Sequence, residues 1–156
     1  MPTPTPDEQK PQGEPPHRPE GRNPFEEGSL FARESLVFGY SRARALEDGV
    51  LLDVSTTAKE AGFVIPVALT RAVWAEYVEA PEGVVGQDVE GRLWDVLTMC
   101  RVAIGRSKSD GPELIFRLHV RNDDRPGDPP LVTLKAHIGP GDSGEPVITI
   151  MRPDED

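Results

Sequence analysis

A chain of 156 residues with 27 acidic and 17 basic side chains, a formal charge of −10 and 37% hydrophobic residues has room for one acidic domain. That sign of charge repels phosphate backbones, which disfavours non-specific nucleic-acid binding. The single Cys100 excludes an intramolecular disulfide and a multi-cysteine zinc site.

Eight of the seventeen prolines fall within residues 1–24, where apolar side chains are nearly absent. Such a stretch cannot bury enough surface to offset its ordering entropy, so residues 1–35 read as a disordered, proline-rich leader. Residues 36–152 read as a single α+β domain and residues 153–156 as an acidic tail in solvent. The domain and tail together hold twenty acids and thirteen bases, so the acidity is spread rather than confined to one end. Solubility and imitation of a nucleic acid are the two readings of that charge. No apolar stretch approaches bilayer-spanning length and no apolar h-region opens the chain. The expected setting is cytoplasmic, without membrane contact.

In chain order, Ser41 is a plausible N-cap for a short helix that Gly49 stops. Residues 50–54 (VLLDV) read as a buried strand. Thr57 and Glu60 have capping-box spacing and start a second short helix ending at Gly62. Residues 63–67 are β-prone, but Pro66 cannot donate to a ladder, which assigns them to an edge or a strand end. Thr70 can cap the next helix, with Val73, Trp74, Tyr77 and Val78 inward.

After a polar loop comes the clearest helix, with Leu93, Val96, Leu97, Cys100 and Ile104 on one face and Arg92, Asp95, Thr98 and Arg101 on the other. Trp74, Tyr77 and Trp94 read as core anchors, and Cys100 as a small buried hydrophobe.

The period then changes from 3.6 to 2. Residues 113–121 (ELIFRLHVR) and 131–138 (LVTLKAHI) alternate apolar and polar, and residues 147–151 (VITIM) follow. They predict a three-stranded C-terminal meander, in a mostly antiparallel sheet with about three helices packed on one face.

Few groups carry a chemical signal. Residues 141–146 (GDSGEP) differ at one position from the GDSGGP nucleophile motif of trypsin-like serine proteases. Glu145 stands where the motif needs a small residue, and neither His119 nor His137 lies in the required context, so the stretch reads as a turn. Arg117, His119, Arg121, Lys135 and His137 fall on the polar side of two neighbouring strands and form a candidate interaction face. A symmetric hairpin pairing Arg121 with Leu131 sets His119 opposite Thr133 and Arg117 opposite Lys135, whereas a shifted register brings His119 next to Lys135 or His137. That face reads either as an anion or nucleic-acid contact or as a solvated sheet surface whose cations pair with acids elsewhere. Asp53, with Arg44 or Arg71 as partner, is a candidate buried polar group, or else simply ends its strand. No catalytic set, cofactor loop or metal motif assembles from the sequence.

The segments YSRARALEDGVLLDVSTTAKEAGFVIPVALTRAVW, GRLWDVL and LVTLKAHIGPGDSGEPVITIMRPDED, taken together, resemble a family of small bacterial proteins of unknown function often encoded on plasmids and other mobile elements. The resemblance covers most of residues 38–156. It implies a bacterial cytoplasmic setting and an accessory role, and assigns no activity, cofactor or site residue. The function expected is therefore a non-enzymatic protein-interaction domain with an unidentified protein partner. An acidic mimic that inhibits a nucleic-acid-binding enzyme, or a nucleic-acid contact through the hairpin, is the alternative.

Overall fold

The computed structural model describes residues 40–156, and the expected leader lies outside them. Five strands form one mixed sheet in the order β1-β2-β5-β4-β3: β1 Leu51–Asp53, β2 Val67–Thr70, β3 Glu113–His119, β4 Leu131–Pro140 and β5 Pro146–Met151. The β3/β4, β4/β5 and β1/β2 pairs are antiparallel, while β2 runs parallel to β5. The helices are α1 Arg42–Glu47, α2 Ser55–Glu60, α3 Arg71–Val73 and α4 Val89–Arg106; a π-helical turn, Trp74–Val78, continues α3. The fold is α+β, as expected. No helix among the described residues is long and apolar enough to cross a membrane.

α4 lays Leu93, Val96, Leu97 and Cys100 against Phe116 and Leu118 of β3, Leu134 and Ala136 of β4, and Ile148 and Ile150 of β5. Val67 and Leu69 of β2 join them on the same face of the sheet. β2 is thus a buried interior strand between β1 and β5, starting directly after Pro66 instead of including it, whereas the strand expected to be buried at residues 50–54 is the short, half-exposed edge strand β1. Residues 63–66 lie outside the strand, and the Pro66 carbonyl still accepts from the Ile148 amide at 2.9 Å. A proline can accept but not donate, so it borders the ladder on its N-terminal side.

The helices do not all share one face. Thr149 alternates with Ile148 and Ile150 and so points away from the core, and Arg42 of α1 donates to its hydroxyl at 2.7 Å. Ala45 of α1 is buried, as are Ala68, Val147 and Met151, yet none of them belongs to the core cluster. Ala68, Val147 and Met151 lie on the Thr149 side of the sheet, a second and thinner apolar layer. Ser41 caps α1 by accepting from the Arg44 amide, and a second cap comes from far along the chain: the Asp142 carboxylate accepts from the Arg42 and Ala43 amides, both at 2.8 Å. Asp142 sits in the β4–β5 turn, where Gly141 and Glu145 close a backbone hydrogen bond of 2.6 Å. The GDSGEP stretch is a turn that caps a helix.

The tail docks as well. Glu155 accepts from the Thr70 hydroxyl and the Arg152 amide, both at 2.8 Å, and its backbone carbonyl accepts from Lys135 Nζ at 2.7 Å. Arg152 pairs with Glu76 at 2.7 Å, and the acids around it (Asp154 first, then Glu76) raise its pKa. The expectation of a tail free in solvent is corrected at Glu155, which is half-buried.

α2 begins at Ser55, two residues before the expected capping box, and its first turn is tied by Asp53. That carboxylate accepts from the Ser55 amide at 2.9 Å and the Ser55 hydroxyl at 2.5 Å. Thr70 caps α3 as expected, accepting from the Val73 amide. The π turn places Val73 and Val78, five residues apart, both fully buried. An α-helix would set those positions about 140° apart, whereas five residues per hydrogen-bonded step brings them back to one side.

Candidate interaction surface

β3 is the last strand of the sheet, and its outer edge has no partner strand among the described residues. The Val120 amide donates to Pro130 and the Ile138 amide to Pro112. With the observed register, even-numbered residues of β3 therefore exchange hydrogen bonds with β4, while Glu113, Ile115, Arg117 and His119 aim their amides and carbonyls outward. Such a row is a template for an added strand. At the other end of the sheet β1 is three residues long and ends in exposed Asp53, which leaves little to pair with.

Apolar side chains flank the open edge on both sides. Ile115 and Leu131 are 52% and 53% exposed on the sheet face away from α4. Trp94 and Met99 of α4 are 42% and 40% exposed on the other. Between them runs a groove of about 460 Å³ lined by Trp94, Thr98, Met99, Arg117, His119 and Leu131. Trp94 is thus a surface group where a core anchor was expected, because the buried stripe of α4 follows Leu93, Val96, Leu97 and Cys100 and leaves its neighbour outward. Exposed Trp and Met concentrated at one place fit an interaction surface.

The hairpin register differs from the symmetric one by two residues. His119 lies opposite Leu131, Arg117 opposite Thr133, Ile115 opposite Lys135 and Glu113 opposite His137. A shift of two keeps every side chain on its expected face and changes only its neighbours. Its cause is the loop, which is held by Arg121: the guanidinium donates to the carbonyls of Arg125 at 2.8 Å and Gly127 at 2.6 Å.

The five residues of the expected face consequently have different roles. Arg117 and His119 are exposed at the edge, and His119 Nδ1 lies 2.7 Å from the Pro129 carbonyl. Arg121 is spent on the loop. Lys135 is buried, tied to the Glu155 carbonyl and paired with Glu113 at 3.6 Å. His137 is half-buried across from Thr149 and Glu113.

Asp53, Arg44 and Arg71 do not form a buried polar group. All three are exposed, and among the described residues no hydrogen bond or ion pair joins any two of them. Asp53 is the residue that ends its strand and starts α2, and Arg44 pairs with Asp48 at 3.8 Å. The more enclosed cations are others: Arg92 and Lys135 are buried and Arg42 is half-buried. Arg42 reaches Thr149 and the Ile148 carbonyl; burial lowers its pKa, opposed by Asp53, Asp142 and Glu145.

Arg92, expected on the polar side of α4, is only 5% exposed. Its guanidinium donates to the carbonyls of Tyr77 at 3.1 Å and Arg121 at 2.5 Å, and to Asn122 Oδ1 at 2.5 Å and Gln87 Oε1 at 3.3 Å. Burial lowers its pKa and nearby Asp95 opposes the shift. No sequence signal marks Arg92, since its acceptors are carbonyls from three separate segments. It fixes the end of the hairpin against the π turn, and so sets the position of the β3 edge relative to α4.

Among the described residues no three His, Cys, Asp or Glu side chains gather as a metal site would require. Residues 28–156 match the family described as "Family of unknown function (DUF6573)". The chain belongs to this family. The family match begins at residue 28, inside the stretch that composition assigns to the leader, so the family's shared region takes in Leu30 and Phe31. No curated protein matches the chain, and no solved structure matches it.

Proposed function

We propose that the domain is a non-enzymatic, protein-binding accessory module of a bacterial mobile element, working in the cytoplasm and engaging its partner along the β3 edge. The observation that carries the reading is the open seven-residue edge of β3 with exposed apolar side chains on both flanks. Main-chain groups at such an edge supply affinity, and flanking apolar groups supply the rest. The bacterial, mobile-element setting rests on the sequence resemblance, and the genes beside the coding sequence test it.

The two alternatives draw less support. Lys135 and Arg121 are engaged inside the domain, which leaves Arg117 as the exposed cation of the expected face, beside exposed His119, on a chain of charge −10. An acidic mimic calls for carboxylates set at phosphate-like spacing, whereas Asp53, Asp142 and Glu155 each hold a structural amide or hydroxyl.

The test is affinity purification of the full chain from its native host beside a Trp94→Glu, Met99→Glu variant. The expected result is a specific protein recovered with the wild type and lost with the variant, whose far-UV spectrum stays unchanged. Equal recovery from both counts against the reading.

A further inference from the structure

We propose that the β3 edge pairs with the β3 edge of a second copy of this chain, giving a two-fold dimer with one continuous ten-stranded sheet. This rests on reading that edge as a protein-binding surface and goes on to name its occupant.

The strand is self-complementary in one register. Antiparallel pairing centred on Phe116 brings all four outward-facing residues into use: Glu113 meets the second copy's His119 and Ile115 meets the second copy's Arg117, each pairing occurring twice by symmetry. Across each pair the side chains lie on the sheet face away from α4. The acid of one strand end thus faces the imidazole of the other, and the Ile115 methyls lie along the stem of an arginine. Moving the register one step in one direction sets Arg117 against Arg117. One step the other way pairs Ile115 with Ile115 and Glu113 with Arg117 but leaves His119 beyond the end of β3, at Gly111, so it uses three of the four outward-facing residues. There Ile115→Lys and Ile115→Glu would each set like charges together and weaken the dimer equally.

The groove supports the same occupant. It is built at the His119 end of β3, from Arg117, His119 and Leu131 with Trp94 and Met99. The two-fold axis brings Leu114 of the second strand opposite Leu118, which also lines the groove, so a half-buried leucine on the α4 face approaches Trp94 and Met99, and does so twice. β3 has neither a proline nor a bulge to block pairing: its ladder to β4 is unbroken over seven residues. The overall charge of −10 opposes association at long range, so the dimer is expected to tighten with added salt.

Sedimentation equilibrium on the full chain, from low micromolar to millimolar concentration, tests this with two substitutions at one position. Ile115→Lys and Ile115→Glu remove the same apolar group, but the first sets a lysine against Arg117 and the second a carboxylate. Wild type is expected at twice the chain mass. Ile115→Lys is expected to weaken the dimer about tenfold, as two like-charge cross-strand pairs would, and Ile115→Glu to match the wild type or exceed it. Far-UV spectra of both variants show that each is folded.

A wild type that stays monomeric throughout, or equal weakening by both variants, overturns the proposal. A monomeric chain that loses a host protein on Ile115→Lys overturns self-pairing alone. A host protein retained by both Ile115→Lys and the Trp94→Glu, Met99→Glu variant overturns the protein-binding reading beneath it.

Discussion

Arg92 holds more of this molecule together than any residue that looked interesting in the sequence. Its guanidinium satisfies two backbone carbonyls and two side-chain amide oxygens that belong to the π turn, the loop before α4 and the β3–β4 loop. Replacing it by Met keeps the volume but takes the donor away from those part-buried acceptors. Arg92→Met is expected to cost about 2 kcal/mol, read from urea unfolding, since an orphaned acceptor costs on the order of 1–3 kcal/mol when fully buried and less where water reaches it. Cys100 is the opposite case, fully legible from the apolar face of its helix. It is completely buried, and burial pushes its thiol up to about 12 from 9.0. A raised folded-state pKa means that the unfolded chain releases the proton first as pH rises. The stability tied to Cys100 is whole below pH 9 and drains between 9.0 and about 12. Cys100→Ala is expected to show a shallower alkaline loss of stability than the wild type, and the native thiol is expected to resist alkylation until the protein unfolds.

Elements were legible where one local pattern decided them. α4 and the alternating strands of the hairpin follow their periods closely, and the Thr70 cap follows from residue type and position. What escaped were ends and connections that depend on distant residues. α1 takes part of its N-terminal cap from Asp142, one hundred residues away in the β4–β5 turn. Asp142→Ala is expected to cost about 1 kcal/mol, as a lost cap does, with Asp142→Asn costing less. A thermal melt of the two variants beside the wild type checks the order. Gly62 ends α2 with φ +97°, and a Cβ there would lie 2.6 Å from Arg101 Nε, whose N–H donates to the Gly62 carbonyl at 3.0 Å. Gly62→Ala is therefore expected to destabilise by more than about 1 kcal/mol, the strain of a left-handed alanine adding to the displaced arginine.

At the scale of the whole molecule, the sheet has one covered face and one divided face. α4 and the π turn cover the first, while α1 and the C-terminal residues share the second with the exposed hairpin. Lys135 shows what that division does to charge, because a lysine expected at the surface is 7% exposed beneath the tail. Removing residues 154–156 takes away the Glu155 carbonyl and leaves Lys135 with Glu113 as its acceptor. That truncation is expected to lower the unfolding midpoint, while Lys135→Met in the truncated chain recovers part of the loss, because a buried cation short of acceptors is worse than none. A low-salt gel shift with duplex DNA is expected to show no retarded complex at a charge of −10.

The sequence by itself determined the α+β class, the buried stripe of α4, the in-and-out alternation of β3 and β4 and the small buried thiol. Each of these follows from residues close together in the chain, through helical or strand periodicity. Tertiary structure alone decided that β2 lies inside the sheet, between β1 and parallel to β5, that Arg92 and Lys135 are buried and that Trp94 faces solvent. It also decided that β3 is the open edge. Those outcomes depend on which carbonyl, carboxylate or strand arrives from another part of the chain, and no local pattern encodes that arrival. The edge strand is the clearest instance. Its residues alternate as those of any half-buried strand do, and only the order of strands in the sheet shows that, among the described residues, no strand bonds to its other side.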